Sequence, residues 1–102
     1  MASVASIHWG RFVWDAHKER ANRIRHGIDF RTAAQAFLDP DRLVAFDAKH
    51  SSDETRLYCI GKTKAGIVTV RYTHREDQIR IIGAGFWRKE RKFYEKTKRD
   101  RS

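Results

Sequence analysis

Cysteine is nearly absent from this chain, and that scarcity removes two architectures at once. With Cys59 as the one thiol among 102 residues, no internal disulfide and no cysteine-based zinc site can form. Cys59 lies in an alternating strand pattern, where it reads as a small buried apolar filler. The five histidines (His8, His17, His26, His50 and His74) show no H-x-x-x-H or comparable ligand spacing, so no metal or other cofactor is expected. No apolar run approaches the roughly 20 residues needed to cross a bilayer. Residues 1–7 are rich in alanine and serine but lack the basic start and apolar stretch of a secretory leader, which predicts a cytoplasmic protein without membrane association. Internal repeats and linker-like segments are also missing. The reading is a single domain over residues 1–102, with a core at about 11–96 and loose termini.

What is plentiful is positive charge. The 22 Lys and Arg outnumber the 13 Asp and Glu, giving +9, a field that attracts polyanions at long range. Nucleic acid is the commonest such partner for a domain of this size, and an acidic protein satisfies the same electrostatics. Hydrophobic residues make up 40%, including three Trp, three Tyr and six Phe, enough for a packed interior.

The pattern predicts an α+β fold: two N-terminal helices, an antiparallel meander, then a C-terminal helix packed on the sheet. Residues 11–14 are a short strand or an extended entry. A helix follows over Asp15–His26, with Trp14, His17, Ala21, Ile24 and Ile28 as its packing seam and Lys18, Asn22 and Arg25 as a polar line beside it. Gly27 is its expected left-handed stop. Asp29 caps a second helix bearing Phe30, Ala33, Ala34, Phe37 and Leu38, ended by Asp39-Pro40. Strands are expected at Leu43–Asp47, Glu54–Lys62, Ile67–Thr73 and Gln78–Gly83, the last three joined by short polar connections. Gly83-Ala84-Gly85 breaks the pattern, and a final helix runs from Phe86 to about Lys96. Its face of Phe86, Trp87, Phe93 and Tyr94 also holds Glu90.

Three groupings could carry chemistry. Glu90 needs a cation, and Arg75 or Arg80 on the sheet could supply it, either as a structural ion pair or to orient an arginine toward phosphate. His50, with Glu54 and Arg56 two apart on one strand face, suits RNA backbone cleavage. One group takes the 2′-hydroxyl proton, an arginine stabilises the pentavalent phosphate and an acid protonates the leaving oxygen. The ordinary alternative is a polar turn beside an exposed ion pair. Tyr72, Thr73, Arg75 and Arg80 cluster at the last hairpin, where two guanidinium groups could grip phosphate or be solvated turn residues.

The series Phe12-x-Trp14-Asp15, Lys18, Asn22, Arg25-His26-Gly27, Phe30, Ala36-Phe37, Asp39-Pro40, Asp47-x-x-His50-Ser51, Glu54-x-Arg56, Ile60-Gly61, Tyr72-Thr73-x-Arg75, Ile79-Arg80-Ile81-Ile82 and Glu90-Arg91-x-x-Tyr94-Glu95 resembles the BrnT family of toxins from type II toxin–antitoxin modules. The resemblance covers about Arg11 to Glu95. It implies a RelE-like ribonuclease that cleaves RNA without metal and blocks translation. It also implies a BrnA-like ribbon-helix-helix antitoxin, through which alone the complex meets operator DNA. The expected catalytic set is His50, Glu54, Arg56, Arg75 and Arg80; Lys18, Arg25, Arg88, Lys89, Arg91 and Tyr94 would hold RNA. The antitoxin is expected over the cationic final helix. One departure stands out. The family usually carries Ser-Ala-Arg where this chain has Gly83-Ala84-Gly85, which leaves open an alternative: a catalytically degenerate domain that binds RNA or antitoxin without cutting.

Overall fold

The alternating residues between Leu57 and Gly85 build three long strands, and the shorter strands of a six-stranded sheet assemble on either side of them. The structure, a computed structural model, describes residues 5–101. In chain order the elements are β1 (Ser6–Trp9), β2 (Phe12–Asp15), α1 (Ala16–His26), α2 (Phe30–Ala34), a 3-10 turn (Gln35–Leu38), β3 (Leu43–Phe46), a second 3-10 turn (Ala48–His50), β4 (Leu57–Thr63), β5 (Gly66–Arg75), β6 (Gln78–Gly85) and α3 (Arg88–Arg101). The sheet order is β1-β2-β6-β5-β4-β3. Neighbours are antiparallel except β2 and β6, which run parallel through Phe12↔Ile79 and Val13↔Arg80.

This corrects the expected pure meander. A hairpin, β1–β2, precedes the helices and closes the far edge of the sheet, so the sheet is mixed and the chain does not begin with helices. The second helix is shorter than its apolar stripe predicts. Five residues are α-helical, and the chain then tightens into the 3-10 turn before Asp39-Pro40. β4 begins at Leu57 rather than Glu54, so Glu54 and Arg56 belong to the preceding loop. β6 continues through Gly83-Ala84-Gly85, which pair with β5 instead of breaking the strand. Between Tyr72↔Ile81 and Arg71↔Gly83 the register shifts by one, a bulge with Ile82 as the extra residue. α3 runs to Arg101, beyond the expected end near Lys96.

Residues paired directly across strands share a face of the sheet. On one face Cys59, Val68, Val70, Tyr72, Ile81 and Ala84 pack against Trp14, Ile28, Phe30, Ala33 and Ala36 from β2 and the helical layer. Gly61 permits the closest approach in that layer: a Cβ there would lie 2.9 Å from Ala36 Cα. α1 is turned relative to the seam read from spacing. Its buried residue is Asn22, while Ile24 is 79% exposed. Asn22 donates to the Ile28 carbonyl (3.2 Å) and accepts from Ala84 N–H (3.1 Å), stitching α1 to β6. Glu19, one turn earlier, accepts from Trp14 Nε1 (3.1 Å) and Phe30 N–H (2.9 Å). Caps act as expected: Asp15 accepts from the His17 and Lys18 amides, and Gly27 closes α1 at φ +73°.

Candidate active site and nucleic-acid interface

The opposite face of the sheet is only partly covered. α3 packs over β4 and β5, where Tyr94 is buried and donates to Asp39 Oδ2 at 2.5 Å. Asp39 also accepts from the Lys62 and Asp41 amides, joining the helical layer, β4 and α3. Beyond α3 the face is open, and the loop of residues 47–56 folds along its rim.

That loop is tied at both ends. Asp47 N–H donates to the Arg56 carbonyl (2.8 Å). Ser51 Oγ donates to the Asp47 carbonyl (2.6 Å) and accepts from Arg56 N–H (2.9 Å). Asp47 itself is 2% exposed, and its Oδ2 lies 2.9 Å from His50 Nδ1. Burial pushes the Asp47 carboxyl up, but hydrogen bonds from His50 and Tyr58 outweigh it and hold the group below the usual carboxylate range. In a neutral ring, donation from Nδ1 to this carboxylate leaves Nε2 of the half-exposed His50 as an acceptor. Tyr58 moves the other way. Burial and then Asp47 raise its hydroxyl pKa, so it remains a donor.

His50 opens onto a cavity of about 240 Å³ lined by Lys49, Tyr58, Arg71, Trp87 and Glu90. Arg71 faces Tyr58 across β4 and β5 and lies over the Trp87 ring, 5.8 Å from its centroid. A second cleft of about 210 Å³ adjoins it, sharing Arg71 and Trp87 and adding Lys18, Arg25 and His26 from α1. His26 meets the Trp87 ring edge-on at 5.2 Å. Trp87 holds this junction because Gly85 makes room for it: a Cβ at position 85 would stand 2.6–2.9 Å from the indole.

The structure divides the catalytic residues read from sequence into two groups. His50 is in the cavity with Arg71. Glu54, Arg56 and Arg75 form a separate cluster, with Glu54 3.7 Å from Arg56 Nε and 3.9 Å from Arg75 Nη2. Arg56 Nε is buried without a hydrogen bond among the described residues. Arg80 pairs across the sheet with Thr73, whose hydroxyl is anchored on the Thr55 carbonyl (2.6 Å). Glu90 turns toward Arg71 and Tyr58, and it makes no ion pair with Arg75 or Arg80 among the described residues. Arg88 and Arg91 border a groove with Lys62, Phe86 and Trp87, and Lys89 is exposed. Tyr94, 3% exposed, has no surface to offer a base.

Sequence reasoning missed Arg71, Tyr58, Trp87 and the role of Asp47. Asp47-x-x-His50 had a readable signal, because an aspartate three residues before a histidine can cap a turn and reach its ring. Arg71 also had one, as a lone cation within the apolar run Ile67–Tyr72.

No helix of the described residues is long and apolar enough to cross a membrane. A profile of the family described as "Ribonuclease toxin, BrnT, of type II toxin-antitoxin system" matches residues 14–90. None of the curated proteins matches the chain.

Proposed function

The chain belongs to the BrnT family, ribonuclease toxins of type II toxin–antitoxin systems, and on that premise we propose that it cuts RNA at the Asp47–His50 pair. The observation that carries the reading is a buried carboxylate on His50 Nδ1, with Arg71 and Lys49 around the same cavity. His50 Nε2 takes the 2′-hydroxyl proton. The freed oxygen attacks the adjacent phosphorus, and the bond to the 5′ oxygen breaks. Arg71 and Lys49 stabilise the added negative charge, and water in the open cavity gives a proton to the departing oxygen. These cations support a cleavage step that proceeds without metal.

Glu54 positions Arg56 and Arg75, and with Arg80 they bind the phosphates on one side of the scissile bond. Lys18 and Arg25 take the other side through the α1 cleft, and Arg88, Lys89 and Arg91 extend the track along α3. Cleavage of cellular RNA would arrest translation. The antitoxin would be a BrnA-like ribbon-helix-helix protein that neutralises the toxin and carries it to operator DNA. A RelE-like fold is part of this reading, which a sheet with a cationic open face supports. Gly83 and Gly85 are the motive for the binding-only alternative, yet Arg71, cross-strand from Gly83 and held on the Trp87 ring, supplies a cation nearby.

The test is digestion of a labelled RNA by the purified chain in chelator, beside His50→Ala. Cleavage by the first and none by the second supports the proposal. RNA binding by both with cleavage by neither would leave the binding-only reading.

A further inference from the structure

The face of the sheet away from the cavity carries an apolar groove that the helical layer does not cover. Its floor is a run of ring contacts: Trp9 on Phe12 (6.2 Å), Phe12 on Phe37 (5.3 Å), Phe37 on Tyr72 (4.9 Å) and Tyr72 on His74 (5.5 Å). Ile79 and Val44 extend it, and the enclosed volume is about 480 Å³, larger than either cleft at the proposed active site. Leu38 is 80% exposed at its wall, Val44 54% and Trp9 41%. Apolar surface collected in one strip marks a contact site far more strongly than the same residues scattered singly. The strip reaches from β1 to β3, the two edges of the sheet. Six strands at about 4.8 Å spacing make that on the order of 24 Å.

The charged residues that line the groove are of one sign. Arg11 and Arg42 line it without an acidic neighbour among the lining residues, and Arg31 lies over the Trp9 ring at 5.6 Å. β3, along one end, is an edge strand whose Val44 and Phe46 are exposed. RNA bases can stack on exposed rings, but the most exposed apolar residues of the groove, Leu38 and Val44, are aliphatic and offer no stacking platform. An acidic polypeptide with apolar anchors satisfies both features.

We propose that this groove is the docking surface for the antitoxin, which presents a segment of apolar side chains flanked by Asp or Glu. The inference rests on the toxin–antitoxin reading and deepens it. It replaces the cationic face of α3 as the anchor and places the partner on the side of the sheet opposite His50. The aromatic floor supplies tightness and the arginine rim supplies steering and orientation. RNA and antitoxin then use separate surfaces.

The experiment co-expresses the chain with the antitoxin encoded in its own module, captures the antitoxin by a tag, and measures the affinity of the purified pair. Leu38→Glu/Val44→Glu places two anions on the rim at exposed positions. That variant is expected to cut RNA at the wild-type rate, which shows that it is folded, and to bind antitoxin at least 100-fold more weakly. Leu38→Ala/Val44→Ala should lose less. Arg88→Glu/Lys89→Glu/Arg91→Glu should lose RNA affinity and keep the antitoxin. Wild-type capture of the Leu38→Glu/Val44→Glu variant overturns the inference while leaving the family function intact. So does loss of capture only with the α3 reversal, loss of RNA binding by the groove variant, or a toxin dimer that the glutamates split. If the wild-type chain captures no antitoxin from its module, the partner reading itself fails and takes the groove with it.

Discussion

At the scale of single residues, the proposed chemistry rests on Asp47 and His50. Asp47→Asn keeps the shape of the carboxylate but no longer requires the proton on Nδ1, so the ring can present the wrong nitrogen. Cleavage should fall by on the order of 10²–10⁴-fold, with RNA affinity nearly unchanged; a variant that cuts normally removes Asp47 from the mechanism. Arg71→Ala should cost about 10²–10³-fold in rate, the scale of a lost electrostatic donor, and Arg71→Lys should recover only part, because an ammonium cannot lie flat on Trp87. Tyr94 belongs to stability instead. Its hydroxyl is spent on Asp39, so Tyr94→Phe should lower unfolding free energy by about 1–3 kcal/mol and leave RNA binding as it was. Denaturant titration beside an RNA-binding isotherm separates the two roles.

At the scale of elements, the sequence announced those parts whose signals are local. Gly27 past an apolar periodicity, Asp29 before Phe30 and the short polar links at 63–66 and 74–77 each correspond to a cap or turn in the structure. What it hid depends on distant partners. Residues 6–9 carry no turn or cap signal, and they become a strand only because β2 offers an edge. Asn22 reads from sequence as part of a polar line beside the seam, since nothing local reveals the Ile28 carbonyl and Ala84 amide that bury it. Gly83 and Gly85 looked like a strand break, because the indole that occupies the space over Gly85 comes from position 87. His50 could be proposed from residue type alone, whereas the lone cation Arg71 could be noticed in its apolar run but not placed, because the cross-strand register that brings it to Tyr58 is a tertiary fact. The same packing yields a prediction. Gly85→Ala must push the Trp87 ring aside and release Arg71 and His26, so RNA cleavage should fall while the melting temperature changes modestly. Gly83→Ala meets nothing nearer than Asn22 Oδ1 at 3.7 Å and should fold and cut like the parent. Equal activities for the two variants would deny Trp87 its organising role.

At the scale of the whole molecule, two electrostatic properties pull on different states. Asp15, Asp29, Asp39 and Asp47 all sit below the usual carboxylate range: Asp15 through the His17 and Lys18 amides, the others because hydrogen bonds overcome burial. A carboxyl whose pKa is lower in the folded state stabilises the fold above its unfolded value of about 3.9 and loses that contribution as pH falls toward the folded value. The midpoint of urea unfolding should therefore drop steeply between about pH 5 and pH 2, and Asp47→Asn should shallow that drop. The +9 charge acts instead on the encounter with RNA. Each phosphate contact on a single strand contributes about −0.7 to the slope of log affinity against log salt. With Arg75 and Arg80 on the open face, Arg75→Gln and Arg80→Gln should each flatten that slope by about 0.7. Leu38→Ala, in the apolar groove, should leave it untouched. An unchanged slope in both arginine variants would mean that RNA passes over the α1 cleft and α3 without touching the Glu54–Arg75 cluster, and the path of the strand would have to be redrawn.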